Sequence, residues 1–273
     1  ILDCIVFWTK NPLPMMERLD ELEAYNYYFQ FTLTGYGNDV ERNLPNKKTS
    51  VIPIFQELSN RIGKEKVVWR YDPIFFSNRY NAKYHLKAFR SIAEALSGYT
   101  EKCVISFLDI YPKNKKNMDN LLSYDLSDSE LRGFAKELSN IAKENHIKIG
   151  SCAEKIDLDE YGIIHNSCID KELIEKIIGC KLKINKDKNQ RIECGCVESV
   201  EVGTYNTCKN GCVYCYANYS AKSVESNFQK YDPLSPLLCG HIEKDDKIST
   251  RKVVSLKETQ ISIFDIDRKS TRL

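Results

Sequence analysis

The sequence contains no long hydrophobic run and no excess of charge of one sign. A helix needs about 20 consecutive apolar residues to cross a membrane, and no such stretch occurs in the 273 residues. Lysine and arginine total 40 and aspartate and glutamate total 38, so the formal net charge is only +2. We therefore expect no membrane partner and no general electrostatic attraction to nucleic acid.

Secretion signals, phosphate-binding loops and paired histidines are also absent from the sequence. No charged-then-apolar signal peptide occurs, and no Gly-x-Gly-x-x-Gly or Walker-type loop is present, so the usual phosphate cradles are excluded. The four histidines are scattered, without a His-x-x-His or His-Glu pair. The sequence therefore predicts no catalytic histidine, and the catalytic residues stay unassigned.

Cysteine, in contrast, is abundant, and nine of the 11 cysteines lie after residue 150. An odd number of cysteines without a secretion signal does not favour a disulfide framework. Thiolates that bind a metal ion or an iron–sulfur cluster in a reducing compartment explain the composition better. We therefore expect a cytoplasmic protein.

The two ends of the chain differ from its middle. The chain opens at Ile1 inside an apolar run and lacks an initiating methionine, so we expect a truncated N-terminus. Residues 1–265 are interpreted as a single α/β domain, in which residues 194–220 form the cysteine-cluster region. Residues 266–273 break the preceding pattern and are interpreted as a tail of doubtful origin.

Short runs rich in β-branched and aromatic residues alternate with segments that have apolar residues at helical spacing. The predicted strands span residues 3–9, 27–34, 66–71, 102–108 and 147–152. The predicted helices span residues 15–22, 51–62, 82–96, 127–145 and 170–178. Strands that are apolar throughout are typical of a parallel sheet covered by helices. The pattern predicts a full or partial (β/α) barrel, with a doubly wound open sheet as the alternative.

Charged residues occur at or just beyond the ends of three predicted strands. Lys10 follows the first strand, Arg70 and Asp72 lie at the end of the third, and Glu154 follows the fifth. Because the C-terminal strand ends of a barrel carry its active site, we interpret these four as candidate site residues. The alternative is that they are ordinary loop and cap residues.

The sharpest motif is Cys-x3-Cys-x2-Cys at Cys208, Cys212 and Cys215, with Tyr214 directly before the last cysteine. Three thiolates on a tight loop can each bind one iron of a four-iron cluster, which leaves the fourth iron open to a small molecule. Residues 197–202 alternate like a strand and residues 217–230 have a helical pattern. The motif is therefore predicted to lie in the last βα unit of the barrel.

This motif resembles that of the radical S-adenosylmethionine (SAM) superfamily in its spacing and its aromatic position. The resemblance implies a 4Fe–4S cluster on the three cysteines, SAM bound to the open iron, and Tyr214 near the SAM adenine. It also implies reductive cleavage of SAM to a 5′-deoxyadenosyl radical that abstracts hydrogen from a substrate. The substrate is unknown, with nucleic-acid lesion repair as one hypothesis, and the expected electron donor is a flavodoxin or ferredoxin.

Two features depart from the superfamily pattern. The cysteine motif follows at least five βα-like units instead of the first barrel strand, and the glycine-rich motif that holds the SAM amino group has no counterpart. Charge complementarity supplies candidate SAM ligands instead. Lys10 and Arg70 are predicted to bind its carboxylate, and Glu154 or Asp72 its ammonium group or ribose.

The chain is also similar to a family of uncharacterised bacterial proteins, a domain of unknown function with a C-terminal radical SAM-like cysteine cluster. The similarity covers roughly residues 1 to 265. It rests on the motifs FWTKNP at 7–12, RIECGC at 191–196 and CVYCYA at 212–217. The resemblance implies no established activity.

Other interpretations of the cysteines stay open. Cys194 or Cys196 could complete a tetrahedral zinc site with the three-cysteine motif, which would make the protein a non-catalytic module with a structural or partner-binding role. Separately, four cysteines form a second possible set of ligands for an auxiliary cluster or zinc, unless they are buried free thiols. This second set is Cys152, Cys168, Cys194 and Cys196.

Overall fold

The structure is a computed structural model that describes residues 2–109, 115, 117–118, 121 and 123–258. Its strands are β1 Ile5–Thr9, β2 Tyr27–Thr32, β3 Val67–Ile74, β4 Lys102–Phe107, β5 Lys148–Ser151 and β6 Ile164–His165. All six belong to one parallel sheet in the order β1-β2-β3-β4-β5-β6. Each strand pairs with its predecessor. Because all of these pairs are parallel, the C-terminal ends of the six strands lie along one edge of the sheet. The order does not reverse, as it does in a doubly wound sheet.

Helices connect and flank these strands. They are α1 Leu13–Met16, α2 Ile52–Ile62, α3 Ala82–Leu96, α4 Asp128–Glu144, α5 Lys171–Ile178 and α6 Ala221–Gln229. Short 3₁₀ turns occur at Leu19–Leu22, Lys64–Lys66 and Asp159–Tyr161, and a π turn at Lys47–Val51 precedes α2. Polar caps fix the helix starts: the Asn81 side chain accepts a hydrogen bond from Tyr84 N, 3.0 Å away, and Ser127 with Glu130 forms the predicted capping box of α4.

Alternate residues of the strands face opposite sides of the sheet, as the pleat requires. Phe31, Trp69 and Ile105 lie in the main core together with buried residues of α2, α3 and α4. Tyr28, Val68 and Val104 lie on the other face, in a smaller core with α5. The sheet is therefore buried on both faces, which explains why its strands are apolar throughout.

The predicted strands and most predicted helices are confirmed within a few residues. The first predicted helix is wrong, since it is divided into α1 and a 3₁₀ turn. β6 was not predicted, because two residues are too short to give a periodic pattern. Among the described residues no helix is long and apolar enough to cross a membrane. The predicted tail at 266–273 and the end of the predicted domain beyond 258 lie outside the described residues.

The predicted strand at residues 197–202 is also wrong. Only Val197 forms an isolated bridge, with Lys186, and residues 198–202 have no regular structure. The side chains of Val200 and Val202 are 51% and 81% exposed. Alternation alone did not make a strand here, since among the described residues only the Val197 bridge pairs with this segment and Val200 and Val202 stay exposed. The three-cysteine motif is therefore not part of a strand–loop–helix unit.

Candidate functional site

The cysteine loop, residues 208–215, packs against the loop that follows β2. The backbone N–H of Val213 donates to Val40 O at 2.9 Å, and that of Asn43 donates to Asn210 O at 3.1 Å. The Asn43 side-chain amide donates to Lys209 O at 2.7 Å. These bonds hold the cysteine loop at the C-terminal edge of the sheet, although it is distant in sequence from β2.

Gly211 gives this loop its turn. Its φ of +65° lies in the left-handed region, which favours glycine. A Cβ added there would lie 3.0 Å from Asn43 Nδ2, so the close approach to Asn43 also favours a residue without a side chain. Cys212, which follows Gly211, is buried, whereas Cys208 is exposed and Cys215 is partly exposed.

A buried carboxylate, Glu41, connects the cysteine loop to the ends of β1 and β2. Its side chain is 1% exposed and accepts hydrogen bonds from Lys10 Nζ at 2.8 Å and from Thr34 Oγ1 at 3.0 Å. It also accepts from Lys47 Nζ and from the Tyr214 hydroxyl. Burial alone would raise the pKa of Glu41, but the two ammonium groups outweigh burial and lower it to about 2. Glu41 is therefore ionised at neutral pH.

Tyr214 is the buried aromatic residue of the cysteine loop. Its ring centroid is 5.9 Å from that of Tyr36, and Lys10 Nζ lies 5.3 Å from the ring centroid. Burial, together with the nearby Glu41 charge, raises the pKa of the Tyr214 hydroxyl well above its usual value. The hydroxyl therefore stays protonated and donates to Glu41, which fixes the orientation of the ring.

The three thiols of the loop influence one another electrostatically. Burial raises the pKa of Cys212 to about 11; Lys10 opposes that rise, and Glu41, Cys215 and Cys208 add to it. In the part of the chain that the structure describes, no group of three or more histidine, cysteine or acidic side chains already has the arrangement that holds a metal ion. The loop thus brings three sulfur donors into one neighbourhood without a preformed metal geometry.

The second predicted cysteine set is brought together in space. Cys168, Cys194 and Cys196 form a buried group against which Cys152 packs, and we call these four residues the four-cysteine cluster. Cys152 Sγ lies 3.1 Å from Cys168 Sγ. Hydrogen bonding to Cys168 and burial raise the pKa of Cys152, while hydrogen bonds from the neighbouring thiols and the Arg70 charge lower that of Cys168.

Arg70 and Asp72 lie at the four-cysteine cluster. Arg70 is 5% exposed, forms an ion pair with Asp72, and its Nη1 is 2.7 Å from Cys168 Sγ. Asp72 also accepts a hydrogen bond from Ser106. Burial lowers the pKa of Arg70, but the negative charge of Asp72 and the neighbouring Cys168 outweigh burial and raise it well above its usual value. Arg70 and Asp72 therefore form an ion pair beside the four-cysteine cluster.

Glu154 follows β5 and accepts a hydrogen bond from the backbone N–H of Phe107 at 2.7 Å. Burial raises its pKa to about 7, against the lowering effect of that hydrogen bond. The predicted strand-end residues thus separate into two groups. Lys10 lies with Tyr214 beside the cysteine loop, whereas Arg70 contacts Cys168 of the four-cysteine cluster and pairs with Asp72.

Two features of the site were not predicted from the sequence. Glu41 and Lys47 lie in a polar loop without an alternating or helical pattern, so no sequence signal distinguished them from solvated charges.

The interpretation that Cys194 or Cys196 completes a site with the three-cysteine motif does not fit the structure. Both pack with Cys168, whereas Cys212 packs in a separate group with Tyr36 and Tyr214.

The family described as "Domain of unknown function (DUF1848)" matches residues 1–217. This range is shorter than the similarity expected over residues 1 to 265, and it includes all six strands, the four-cysteine cluster and the whole cysteine loop. No curated protein and no solved structure matches the chain. Because the match covers well over half of its length, the chain belongs to the DUF1848 family of domains of unknown function.

Proposed function

We propose that this protein is an iron–sulfur protein of the radical SAM type. Cys208, Cys212 and Cys215 would hold a 4Fe–4S cluster, and reductive cleavage of SAM would start radical chemistry on a substrate that stays unidentified. The observation that carries the proposal is the anchoring of the three-cysteine loop at the C-terminal edge of a parallel sheet, beside the Glu41 network. We further propose that the six strands are part of a barrel whose mouth this edge forms.

The donor set fits such a cluster. Three cysteines on one loop supply three thiolates, and a four-iron cluster bound in this way keeps one iron open. Thiols lose their protons when they bind a metal, so three thiolates with a [4Fe–4S]²⁺ core carry a net charge of −1. Lys10 and Lys47 lie beside the loop and offset part of that charge. When bound and reduced, the cluster would supply the electron that cleaves the SAM sulfonium.

The side chains near the loop support a revised assignment for SAM. Lys10, only 15% exposed and next to Tyr214, is the better candidate for the SAM carboxylate. Arg70 is the weaker candidate, since it lies at the four-cysteine cluster and not beside the cysteine loop. Glu154, whose pKa is about 7, stays a candidate for the SAM ammonium group or ribose, as does Asp72.

The decisive experiment is anaerobic reconstitution with iron and sulfide, followed by dithionite and SAM. We expect about four irons in the loop cluster, brown colour, and formation of 5′-deoxyadenosine. Cys212→Ser should abolish the product, because one iron loses its protein ligand. Cys180→Ser is the matched control, since this thiol follows α5 and lies outside both cysteine groups; it should leave the product unchanged.

Two outcomes would contradict the proposal in different ways. A full four-iron cluster that forms no 5′-deoxyadenosine would indicate an electron-transfer or structural cluster. A colourless protein that binds zinc on the loop cysteines, and no iron, would indicate a non-catalytic module. Dithionite replaces the flavodoxin or ferredoxin that we propose as the physiological donor, so the test does not depend on the partner.

A further inference from the structure

We propose that the four-cysteine cluster is a second, separate metal centre that binds a single Zn²⁺ ion through Cys152, Cys168, Cys194 and Cys196. Four thiolates in tetrahedral geometry are a common ligand set of structural zinc. The inference does not rest on the radical SAM proposal, because the two groups of cysteines share no residue and pack in different parts of the molecule.

Three parts of the chain bring the four thiols together. Cys152 directly follows β5, Cys168 follows β6, and Cys194 and Cys196 come from a later loop. Cys168, Cys194 and Cys196 pack together in one buried group. With the contact between Cys152 Sγ and Cys168 Sγ, this packing brings all four cysteines into one group.

The spacing of the sulfurs favours a single ion over an iron–sulfur cube. Zn–S bonds of about 2.3 Å in tetrahedral geometry place ligand sulfurs about 3.8 Å apart. Cys152 Sγ and Cys168 Sγ are 3.1 Å apart, so these two thiols must separate by less than about 1 Å, which small side-chain rotations supply. A four-iron cluster binds each thiolate to a different iron, and Cys152 Sγ and Cys168 Sγ would then have to separate much further.

Backbone hydrogen bonds to sulfur already surround the cluster, as they do around metal-bound thiolates. The backbone N–H groups of Cys168 and Ile169 donate to Cys196 Sγ at 3.2 and 3.3 Å. The Asn166 amide is directed at the same thiols, with Nδ2 3.7 Å from Cys168 Sγ. Its Oδ1 is a buried polar atom that has no hydrogen-bond partner among the described residues.

The loop that carries Cys194 and Cys196 is held rigidly against the end of β6. Ser167 Oγ donates to Gly195 O at 2.8 Å. A Cβ at Gly195 would lie only 2.5 Å from Ser167 Oγ. The backbone N–H of Val197 also donates to Ile169 O at 3.2 Å. The segment therefore has one close-packed position, in which both of its cysteines lie at Cys168.

Charge around the cluster also suits a thiolate-rich centre. One Zn²⁺ with four thiolates carries a net charge of −2, and the buried Arg70 guanidinium contacts Cys168 directly. Hydrogen bonds from Tyr28 and Gln30 to Cys168 O, at 2.7 and 2.8 Å, fix the backbone of this cysteine. With four protein ligands the site is closed, so we assign it a structural function.

Cobalt titration of a chain that lacks the loop cysteines tests this assignment. In the full chain carrying Cys208→Ser, Cys212→Ser and Cys215→Ser, stripped of metal by a chelator, we expect about one Co²⁺ per chain. The spectrum should show the intense visible bands of tetrahedral Co²⁺ and a thiolate-to-cobalt charge-transfer band, and Zn²⁺ should displace the cobalt. Octahedral Co²⁺, no uptake, or iron with acid-labile sulfide on this variant would overturn the proposal.

Single substitutions in the same background separate ligands from neighbours. Cys168→Ser removes a ligand and should reduce the charge-transfer band as well as the affinity. Arg70→Lys keeps the positive charge but loses the planar guanidinium group that contacts both Cys168 and Asp72. This substitution should weaken Co²⁺ binding about 10- to 100-fold. Cys180→Ser should change neither quantity. Equal effects of Cys168→Ser and Cys180→Ser would contradict the assignment.

X-ray absorption at the zinc edge of the unmodified protein keeps the test independent of the folding of any variant. We expect four sulfur neighbours at about 2.3 Å. The cysteine loop has only three cysteines, so it cannot supply such a shell by itself. Because zinc on the three-cysteine loop would bring in nitrogen or oxygen, the protein is loaded with one Zn²⁺ per chain. Nitrogen or oxygen in part of the first shell of that ion would overturn the proposal.

Discussion

At the scale of single residues, Glu41 connects four separate parts of the chain. Lys10 follows β1, Thr34 follows β2, Lys47 precedes α2, and Tyr214 belongs to the cysteine loop; all four donate to its carboxylate. The buried charge is tolerated because two ammonium groups balance it. Glu41 thus holds the cysteine loop in place and also sets the charge beside it.

Glu41→Gln should destabilise the protein by about 3 kcal/mol, because it leaves two largely buried ammonium groups close together without a carboxylate. Urea unfolding measures this loss. Glu57→Gln removes the exposed Glu57–Arg61 pair on α2 and should change stability little, since exposed pairs contribute little. Similar losses for the two variants would show that the Glu41 network has no special role.

At the scale of elements, the sequence predicts what is encoded locally and misses what depends on distant partners. α3 was predicted at residues 82–96, where the structure has it, because its apolar spacing is a local signal. The position of the cysteine loop was not predictable, since it depends on Asn43 and Val40, which are about 170 residues earlier in the chain. The cysteines themselves were identified from spacing and composition, because a metal-binding residue type is visible in a sequence even where its partners are not.

Substitution of glycine by alanine should have opposite effects on stability at Gly211 and at Gly133. Gly211→Ala in the cysteine loop puts a side chain at φ +65° and 3.0 Å from Asn43 Nδ2; it should destabilise the protein by about 1–2 kcal/mol and lower its iron content after reconstitution. Gly133→Ala lies within α4, where a Cβ meets nothing within 4 Å. It should stabilise the protein by about 0.5–1 kcal/mol and leave the iron content unchanged. Thermal unfolding and iron analysis of both variants check the two signs together; a stabilising effect of Gly211→Ala would contradict the proposed loop geometry.

At the scale of the whole molecule, both cysteine groups lie along one edge of the parallel sheet. The cysteine loop packs beyond β2, and the four-cysteine cluster is formed beyond β5 and β6. The chain runs directly from Cys196 to Cys208 through residues without regular structure. A metal ion at the four-cysteine cluster would therefore anchor the segment that leads into the loop, so that folding of this edge depends on both groups of cysteines.

A buried histidine makes the stability of the whole molecule depend on pH. His85 of α3 lies in the core, where its Nδ1 is 2.9 Å from the Tyr71 hydroxyl and its Nε2 is 3.0 Å from Phe75 O. A neutral ring that donates from Nε2 and accepts at Nδ1 satisfies both contacts. Burial disfavours the protonated ring and lowers the pKa of His85 from 6.5 to about 4, although the Phe75 carbonyl opposes this shift.

Because the pKa is lower in the folded state, the unfolded chain takes up the proton first as the pH falls. The contribution of His85 is fully present above pH 6.5 and is lost as the pH decreases towards 4, a loss of about 3 kcal/mol in all. Glu41 adds a second loss below its ordinary value of 4.5, towards its pKa of about 2, so the two groups act in different pH windows. Glu154, whose pKa is raised to about 7, stabilises the folded state as the pH falls through the same window. The His85 loss is therefore measured as a difference: from pH 7 to 4, urea unfolding should show a larger decrease in stability in the unmodified protein than in His85→Gln. His165→Gln, at an exposed position, is the control and should keep the full pH dependence. A pH dependence between 6.5 and 4 that survives in His85→Gln but disappears in His165→Gln would place the titrating group at the surface, and the buried neutral ring would then be the wrong explanation.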